Sequence, residues 1–223
     1  VKILSDAAGN TTEVVAAGLT TGQTLTVHAS SFDADGNYVN DVSVAWTLTG
    51  GIGALFPSSG ISTVLTATTA GTGQISADHA SLLDDATGTI TVNTGSLSFV
   101  RIVEGPSGDG AELDTKSLTT DETVTVHAAG YDASGNYLGD QTVDWSSTGT
   151  LGPAISATGP SFTFQPTTAP ASGTIVATHA TATGDATGTV TVNTGAAHHI
   201  KVLSGASGNT SEVTVSGLTA GDA

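Results

Sequence analysis

The chain repeats itself at intervals of about one hundred residues, and this repeat constrains its fold more strongly than any other feature. The segment HASSFDADGNYVNDVSVAW ends at Trp46, and its counterpart HAAGYDASGNYLGDQTVDW ends at Trp145, 99 residues later. Further along, DATGTITVNTG begins at Asp85 and DATGTVTVNTG begins at Asp185, 100 residues later. Self-similarity at a fixed period indicates one structural unit that is used several times in tandem.

A third copy begins near the end of the sequence, where IKVLSGASGNTSEV from Ile200 matches VKILSDAAGNTTEV from Val1. The sequence therefore predicts repeat 1 over residues 1–96, repeat 2 over residues 97–196, and the opening of a third, incomplete repeat over residues 197–223. An isolated opening strand leaves backbone groups and an apolar face unpaired. We therefore expect either that the natural protein continues or that a neighbouring molecule completes this fragment.

Each repeat shows the alternation that is typical of strands. In TLTVHA, Leu25, Val27 and Ala29 share one face, and polar side chains occupy the other. This period of two indicates a strand with one buried face. Turn-forming segments such as DADGN, TGGIG and TAGTG separate these runs. About seven short strands in each repeat, with one Trp in the third, predict an all-β chain of two-sheet sandwiches without significant helix, in which the Trp fills the core.

The charge is strongly one-sided, with 4 Lys and Arg against 20 Asp and Glu, and a formal net charge of −16. Such a surface repels phosphate backbones and anionic lipids, so we expect no nucleic-acid partner. No run approaches the roughly 20 apolar residues of a membrane span, so we expect no membrane insertion in this segment. Cations, Ca²⁺ above all, and neutral surfaces such as glycans are the favoured partners. The absence of Cys excludes disulfides and thiolate metal sites.

The segments FDADGNYVNDVSVAW and YDASGNYLGDQTVDW also carry a family resemblance. Both fit the pattern D-x-x-G-N, six residues, V-x-W, which resembles the corresponding segment of bacterial immunoglobulin (Ig)-like domains of the invasin and intimin type. The closing segments TTAGTGQISA and TGTITV are similar to the last strands of that family. The resemblance implies tandem Ig-like β-sandwiches, displayed outside the cell or on its surface. It is specific for the fold and weak for function, since such domains serve many roles.

The acidic turn in each repeat has two interpretations. Alternating oxygen ligands on one short loop are typical of a Ca²⁺ site, although the Glu of an EF-hand is missing. The alternative is a turn in which Asp caps the backbone and Gly-Asn supplies the positive φ, and this explains why Asp35 is replaced by Ser134 in repeat 2. The candidate ligands are Asp33, Asp35, Asn37 and Asp41 in repeat 1, and Asp132, Asn136 and Asp140 in repeat 2.

A second set of carboxylates precedes the last strand of each repeat. Asp85 and Asp185 lie there, and tandem sandwich proteins of the resembled type often bind Ca²⁺ at their junctions. The alternative is a solvated, self-repelling loop that keeps the protein soluble. The sequence requires no cofactor, and Ca²⁺ is the one that it suggests. N-x-[ST] acceptor sites occur at Asn10 and Asn209, so both are glycosylation candidates.

An enzyme is disfavoured because no G-x-S-x-G segment occurs and because the whole domain is repeated. We expect a structural or adhesive segment of a long extracellular surface protein, acting as a stalk or a fibre. Its partners would be neighbouring repeats or identical protomers, with a strand-sharing filament as one variant. The alternative is an adhesin module whose end loops bind a glycan or protein on a cell surface, with or without Ca²⁺; Tyr38 and Tyr137 are the turn aromatics available for this.

Overall fold

Alternating apolar residues build the central strand of repeat 1. Val27 and Ala29 are fully buried, whereas Thr24 and Thr26 on the opposite face are exposed. The computed structural model describes residues 1–9, 12–203 and 212–213. Within them, repeat 1 forms the strands β1 (Lys2–Leu4), β2 (Ala17–Thr20), β3 (Thr24–Phe32), β4 (Tyr38–Asp41), β5 (Val44–Leu48), β6 (Gly53–Phe56), β7 (Ser59–Gly60), β8 (Ser62–Ala67), β9 (Gly71–Gly73), β10 (Ile75–Asp78), β11 (Asp85–Ala86) and β12 (Ile90–Asn93).

Three small sheets surround one core in repeat 1. In the first, β3 pairs antiparallel with β1, β4 and β8, and β8 pairs with β6. The other two have the orders β11-β10-β5-β7 and β2-β12-β9, and β2 runs parallel to β12. Apolar side chains from all three sheets meet in one cluster around Trp46, which is 4% exposed. The Trp46 indole nitrogen donates to the Gly60 carbonyl at 3.0 Å, so its polar atom is satisfied.

Strands β9 and β10 belong to one extended segment that is interrupted at Gln74, and threonine side chains satisfy the backbone there. The Thr87 hydroxyl accepts a hydrogen bond from the Ile75 amide, and the Thr49 hydroxyl accepts one from the Gln74 amide, both at 3.0 Å. Gly73 precedes the interruption because a Cβ there would collide with the Thr49 carbonyl oxygen. Repeat 2 has the same arrangement, with Thr148, Gly173, Thr174, Ile175 and Thr187 in the equivalent places.

Repeat 2 has the same architecture and its own core. A second apolar cluster surrounds Trp145, whose indole nitrogen donates to the Gly159 carbonyl at 3.0 Å. The strands are β13 (Leu97–Val103), β14 (Lys116–Thr119), β15 (Val124–Asp132), β16 (Tyr137–Asp140), β17 (Val143–Ser147), β18 (Ser156–Gly159), β19 (Ser161–Phe164), β20 (Ala171–Gly173), β21 (Ile175–Thr178), β22 (Asp185–Ala186) and β23 (Val190–Asn193), with one 3-10 turn at Pro106–Gly108.

The predicted all-β fold of tandem β-sandwiches is confirmed. Each repeat contains more hydrogen-bonded segments than the sequence pattern resolves, because long strands are interrupted at positions such as Gln74. In the described part of the third repeat, Leu203 bridges Glu212, as Leu4 bridges Glu13 in repeat 1. None of the helical residues that the structure describes forms a segment long and apolar enough to cross a membrane.

Candidate functional site at the repeat junction

The turn that follows β15 in repeat 2 is stabilised by the side chain of its first residue, Asp132. Asp132 Oδ1 accepts hydrogen bonds from the amides of Ser134 and Asn136, both at 2.9 Å. Gly135 between them has a φ of 84°, a conformation that suits glycine. Position 134 contributes its backbone amide to this turn, so an Asp or a Ser fits there equally well. This geometry is the capped turn that was one of the two interpretations of the sequence.

The second oxygen of Asp132 reaches across to repeat 1. Asp132 Oδ2 accepts a hydrogen bond from the Thr21 hydroxyl at 2.7 Å and another from the Gly95 amide at 2.9 Å. Asp132 is fully buried. Burial alone would raise the pKa of this carboxyl, but the hydrogen bonds from Gly95, Asn136 and Thr21 outweigh it and lower the pKa well below its ordinary value. The junction therefore encloses an ionised carboxylate with its hydrogen bonds made.

Asn136 makes a second connection between the repeats. Its side-chain nitrogen donates to the Thr68 carbonyl at 3.0 Å, and its side-chain oxygen accepts from the Ala70 amide at 3.2 Å. The same nitrogen also contacts both carboxylate oxygens of Asp132, at 3.1 and 3.0 Å. Asp132 and Asn136 are therefore hydrogen-bonded to each other and to separate segments of repeat 1: Asp132 to Thr21 and Gly95, and Asn136 to the loop 68–70.

Strand β13, which follows directly on repeat 1, adds an aromatic contact beside Asp132 and Asn136. Phe99 stacks on Tyr131, with ring centroids 5.5 Å apart and an interplanar angle of 18°. The Arg101 guanidinium lies over both rings, at 5.4 and 5.8 Å from their centroids. Backbone pairing continues the linker into repeat 2, since the Thr183 amide donates to the Ser98 carbonyl at 3.0 Å.

In repeat 1 the equivalent turn has the same internal geometry and a different environment. Asp33 Oδ1 accepts from the amides of Asp35 at 3.0 Å and Asn37 at 2.8 Å, and Asn37 also donates from its side chain to Asp33. These bonds, that of the Asn37 side chain first, hold the pKa of Asp33 below its ordinary value. All three residues are exposed to solvent.

Asp41 and Asp140 hold the first loop of each repeat. The Asp41 carboxylate accepts from the Ser30 hydroxyl at 2.7 Å and the Ala8 amide at 3.0 Å, which lowers its pKa. The Asp140 carboxylate accepts from the Tyr137 hydroxyl at 2.8 Å. Burial and this bond to Asp140 raise the pKa of Tyr137 to about 12.

Asp85 and Asp185 anchor the first strand of each repeat. Asp85 Oδ2 accepts from the Ile3 amide, and Asp185 Oδ2 accepts from the Ile102 amide, both at 2.7 Å. Across the described residues, no three His, Asp or Glu side chains are grouped as a metal site. Calcium binding by the acidic candidates stays a prediction. The glycosylation candidates Asn10 and Asn209 lie outside the described residues.

The basic side chains follow the repeat as ion pairs on the surface. Lys2 contacts Glu13 at 3.0 Å in repeat 1. The equivalent pairs are Arg101 with Glu112 at 3.2 Å and Lys201 with Glu212 at 3.5 Å. The fourth basic residue, Lys116, pairs with Glu104. Every Lys and Arg is therefore matched by a Glu, and the surplus charge of the chain is carried mainly by Asp.

The sequence pattern did not predict the residues that bind Asp132 and Asn136. Thr21, Thr68 and Gly95 are small residues in turn-like segments that resemble many others in this chain. A signal for Gly95 existed, because the segment TVNTG recurs unchanged and ends at Gly195 in repeat 2. Recurrence indicated an important turn, but it could not reveal the distant carboxylate that faces it.

Several solved structures resemble the chain. The D0-D1 domain of intimin is 14% identical with a TM-score of 0.33, and the match covers 87% of this chain and 98% of that one. FdeC, an Escherichia coli adhesin, is 19% identical with a TM-score of 0.37, over 80% of this chain and 61% of that one. Domains 3–5 of Drosophila OTK are 13% identical with a TM-score of 0.38, over 80% and 62%.

The chain spans less than two thirds of the FdeC and OTK structures. No protein-family model matches it, and no curated protein is significantly similar to it. These likenesses concern the fold alone. Fold and junction together define the class of the molecule: a tandem β-sandwich protein whose first two repeats are joined by hydrogen bonds through a buried carboxylate.

Proposed function

We propose that this chain is a stalk or fibre segment of a long extracellular surface protein. In this function each β-sandwich adds length, and each junction keeps the next repeat in a defined direction. The observation that carries the proposal is the Asp132 carboxylate, which is fully buried between the repeats and accepts hydrogen bonds from Thr21 and Gly95 of repeat 1. A flexible tether between independent binding modules does not need to bury an ionised group, which is costly unless its partners are held in place.

The surface charge supports an extracellular structural role. Each Lys and Arg is paired with a Glu, so the net charge of −16 is carried by acidic side chains without a Lys or Arg partner. Net charge far from zero favours solubility and disfavours adhesion to anionic surfaces. This property suits a segment whose work is to hold something else at a distance.

The grooves of repeat 2 support a function other than catalysis. One groove of about 380 Å³ is lined by residues of the segments 153–156 and 162–167. None of the nine residues that line it carries a titratable side chain. General acid, general base and nucleophilic chemistry need such groups at the reacting centre, so this groove is unsuited to hydrolysis.

The end-loop tyrosines weigh against the glycan-binding alternative. The Tyr38 ring lies against Gly9, where a Cβ would collide with it, and Tyr137 lies against Gly108 in the same way. The Tyr137 hydroxyl is also bound to Asp140. These rings hold the first loop of each repeat, and these contacts leave Tyr38 41% and Tyr137 36% exposed.

The described part of the third repeat makes a backbone contact within its own chain. The Val213 amide donates to the Val202 carbonyl at 3.0 Å, so this segment pairs with its own chain. Repeat 2 offers the same contact between Leu113 and Ile102, at 2.9 Å.

Residual dipolar couplings measured by NMR on the whole chain test this function. Two repeats held in one direction share a single alignment tensor, whereas two freely hinged repeats give separate tensors. We expect one tensor for the native chain and separate tensors after Thr21→Val combined with Asn136→Ala. Thr26→Val, an exposed hydroxyl on β3, serves as the control and should leave the single tensor unchanged. Separate tensors in the native chain would refute the stalk.

A further inference from the structure

The Asp33 turn of repeat 1 presents the same groups as the Asp132 turn, through which repeat 2 binds repeat 1. We call the surface formed by Phe32, Asp33, Asn37, Leu82 and Leu83 the head of repeat 1. Asp33 and Asn37 correspond to Asp132 and Asn136, with the same hydrogen bonds inside the turn. In repeat 2 these side chains reach outward to Thr21, Gly95 and the loop 68–70. In repeat 1 they face solvent.

A groove of mixed polarity lies beside the Asp33 turn in the head of repeat 1. It has a volume of about 370 Å³, and Val1, Phe32, Leu82 and Leu83 line it together with the turn itself. Leu83 is 88% exposed and Leu82 is 41% exposed, so the head carries unusual apolar surface for an acidic chain.

Repeat 2 shows what fills the equivalent groove. There Tyr131 takes the place of Phe32, and the linker residue Phe99 stacks on it. Phe99 immediately precedes Val100, which is the counterpart of Val1. By analogy, Phe32 in the groove of repeat 1 offers a ring on which an aromatic side chain preceding Val1 can stack, with Leu82 and Leu83 where repeat 2 has Ala182 and Thr183.

We propose that the head of repeat 1 is a docking surface for the tail of a further Ig-like repeat. That tail would carry a hydroxyl at the position of Thr21 and glycines at the positions of Gly22 and Gly95, followed by a linker that ends in an aromatic residue. Its hydroxyl and glycine amide would bind Asp33 Oδ2, which in repeat 1 accepts a hydrogen bond from the Asn37 side chain, as Asp132 Oδ2 does from Asn136. Its loop would bind Asn37. The inference rests on the proposed stalk function and specifies which partner the stalk accepts at this end.

The tail of repeat 2 keeps the threonine and one glycine, Thr120 and Gly195, but differs at the position of Gly22, and this difference disfavours a second copy of the chain docking through it. Asp121 stands where repeat 1 has Gly22, and its carboxylate accepts a hydrogen bond from the Ala196 amide at 2.6 Å. The Gly195 amide is bound to the Thr120 hydroxyl at 3.0 Å. The carboxylate of Asp121 occupies the side from which a head aspartate approaches, and two like charges in contact repel.

A chain extended at its start tests the proposal. Residues 1–99 are placed directly before Val1 of the full chain, which reproduces the linker that joins repeat 1 to repeat 2. The Asp33 carboxyl carbon of the original repeat 1 is then followed by NMR as the pH is lowered. We expect its titration midpoint to fall by at least about one pH unit relative to the unextended chain, since two new hydrogen bonds favour the carboxylate.

Two further extended chains serve as controls. An extension with residues 100–199, whose tail contains Asp121, should leave the Asp33 midpoint unchanged. Thr21→Val in the added copy should reverse at least half of the shift. Equal midpoints in the unextended chain and the 1–99 extension would overturn the proposal. So would dimerisation of the unextended chain in sedimentation that Asp33→Asn abolishes, because the occupant would then be a second copy. Either result leaves the shared alignment tensor of repeats 1 and 2, and hence the stalk function, untouched.

Discussion

The Thr21 hydroxyl donates a hydrogen bond of 2.7 Å to the Asp132 carboxylate, 111 residues further along the chain. The bond joins a turn of repeat 1 to the turn that follows β15 in repeat 2. It links a residue with no distinguishing feature in the sequence to one that resembles a metal ligand. A motif that was a candidate for Ca²⁺ thus accepts hydrogen bonds from the protein itself.

Replacing Thr21 by Val removes this donor with little change of shape. A hydrogen bond to a buried charge contributes about 1.5–3 kcal/mol, so we expect the free energy of unfolding of repeat 2 to fall by about 2 kcal/mol. Urea unfolding followed by Trp fluorescence measures it. The exposed Thr26→Val should cost less than about 0.5 kcal/mol. Equal losses for both variants would mean that the Thr21 bond contributes nothing specific.

The stability of the junction should depend on pH through Asp132. Its pKa in the folded chain lies below the ordinary 3.8, so the carboxylate stabilises the fold above that value. The stabilisation is lost as the pH falls from about 5 through the folded pKa, where the unfolded chain takes up the proton first. We expect the free energy of unfolding to decline below pH 4, and Asp132→Asn to flatten that decline.

The matched variant for the acid transition is Asp33→Asn in the exposed turn of repeat 1. Its pKa is also lowered, by bonds within the turn, but solvent screens the exposed group. It should therefore change the acid transition less than Asp132→Asn does. A transition that is unaltered by Asp132→Asn would show that another carboxylate controls it.

The sequence predicted the repeated sandwiches because strand alternation and core tryptophans are local patterns. Val27, Ala29 and Trp46 are buried as the period of two requires. The turn at Asp33 was also predictable, since Asp, Gly and Asn build it with their own atoms.

The junction could not be predicted in the same way. Thr21 and Gly95 meet Asp132 only after two sandwiches have folded and the linker has fixed their separation. The order of residues in the sequence does not indicate how far apart Thr21 and Asp132 lie in the folded chain. The same limit applies to Asp85, whose partner is the Ile3 amide on another strand.

Gly73 should be essential to the interrupted strand of repeat 1. A Cβ there would collide with the Thr49 carbonyl oxygen, which is backbone and cannot move away cheaply. We expect Gly73→Ala to lower the free energy of unfolding by about 2–3 kcal/mol, as overpacking in a well-packed site does. Gly18→Ala is the control, because nothing lies within 4 Å of its added Cβ. Thermal unfolding of both variants decides the matter, and a similar melting temperature for the two would contradict the strain.

Calcium binding by the acidic turns is a separable prediction. Because Asp132 Oδ2 already accepts bonds from Thr21 and Gly95 of repeat 1, we expect added Ca²⁺ to shift the NMR signals of Asp35 and Asn37 before those of Ser134 and Asn136. Asp35→Ser gives repeat 1 the residue of repeat 2 and should weaken that response. Chelation with EDTA should lower the melting temperature if the ion stabilises the chain. Unchanged spectra at millimolar Ca²⁺ together with an unchanged melt would eliminate the site.

The two turn asparagines offer the sharpest comparison, because one is docked and one is free. Asn37→Ala and Asn136→Ala each remove a bond to the aspartate of their own turn. Asn136→Ala also removes the contacts with Thr68 and Ala70. We expect it to cost about 1–2 kcal/mol more than Asn37→Ala, the net value of two hydrogen bonds.

Hydrogen exchange at the Ala70 amide gives an independent readout of this pair. That amide donates to Asn136, so its exchange should accelerate in Asn136→Ala and stay at the native rate in Asn37→Ala. Loss of protection in both variants would indicate that the repeat 1 loop opens for reasons other than docking. Protection retained in both would show that the side chain of Asn136 does not hold the junction. Because the two turns have the same internal hydrogen bonds, a larger loss of stability in Asn136→Ala than in Asn37→Ala would come from the contact between the repeats.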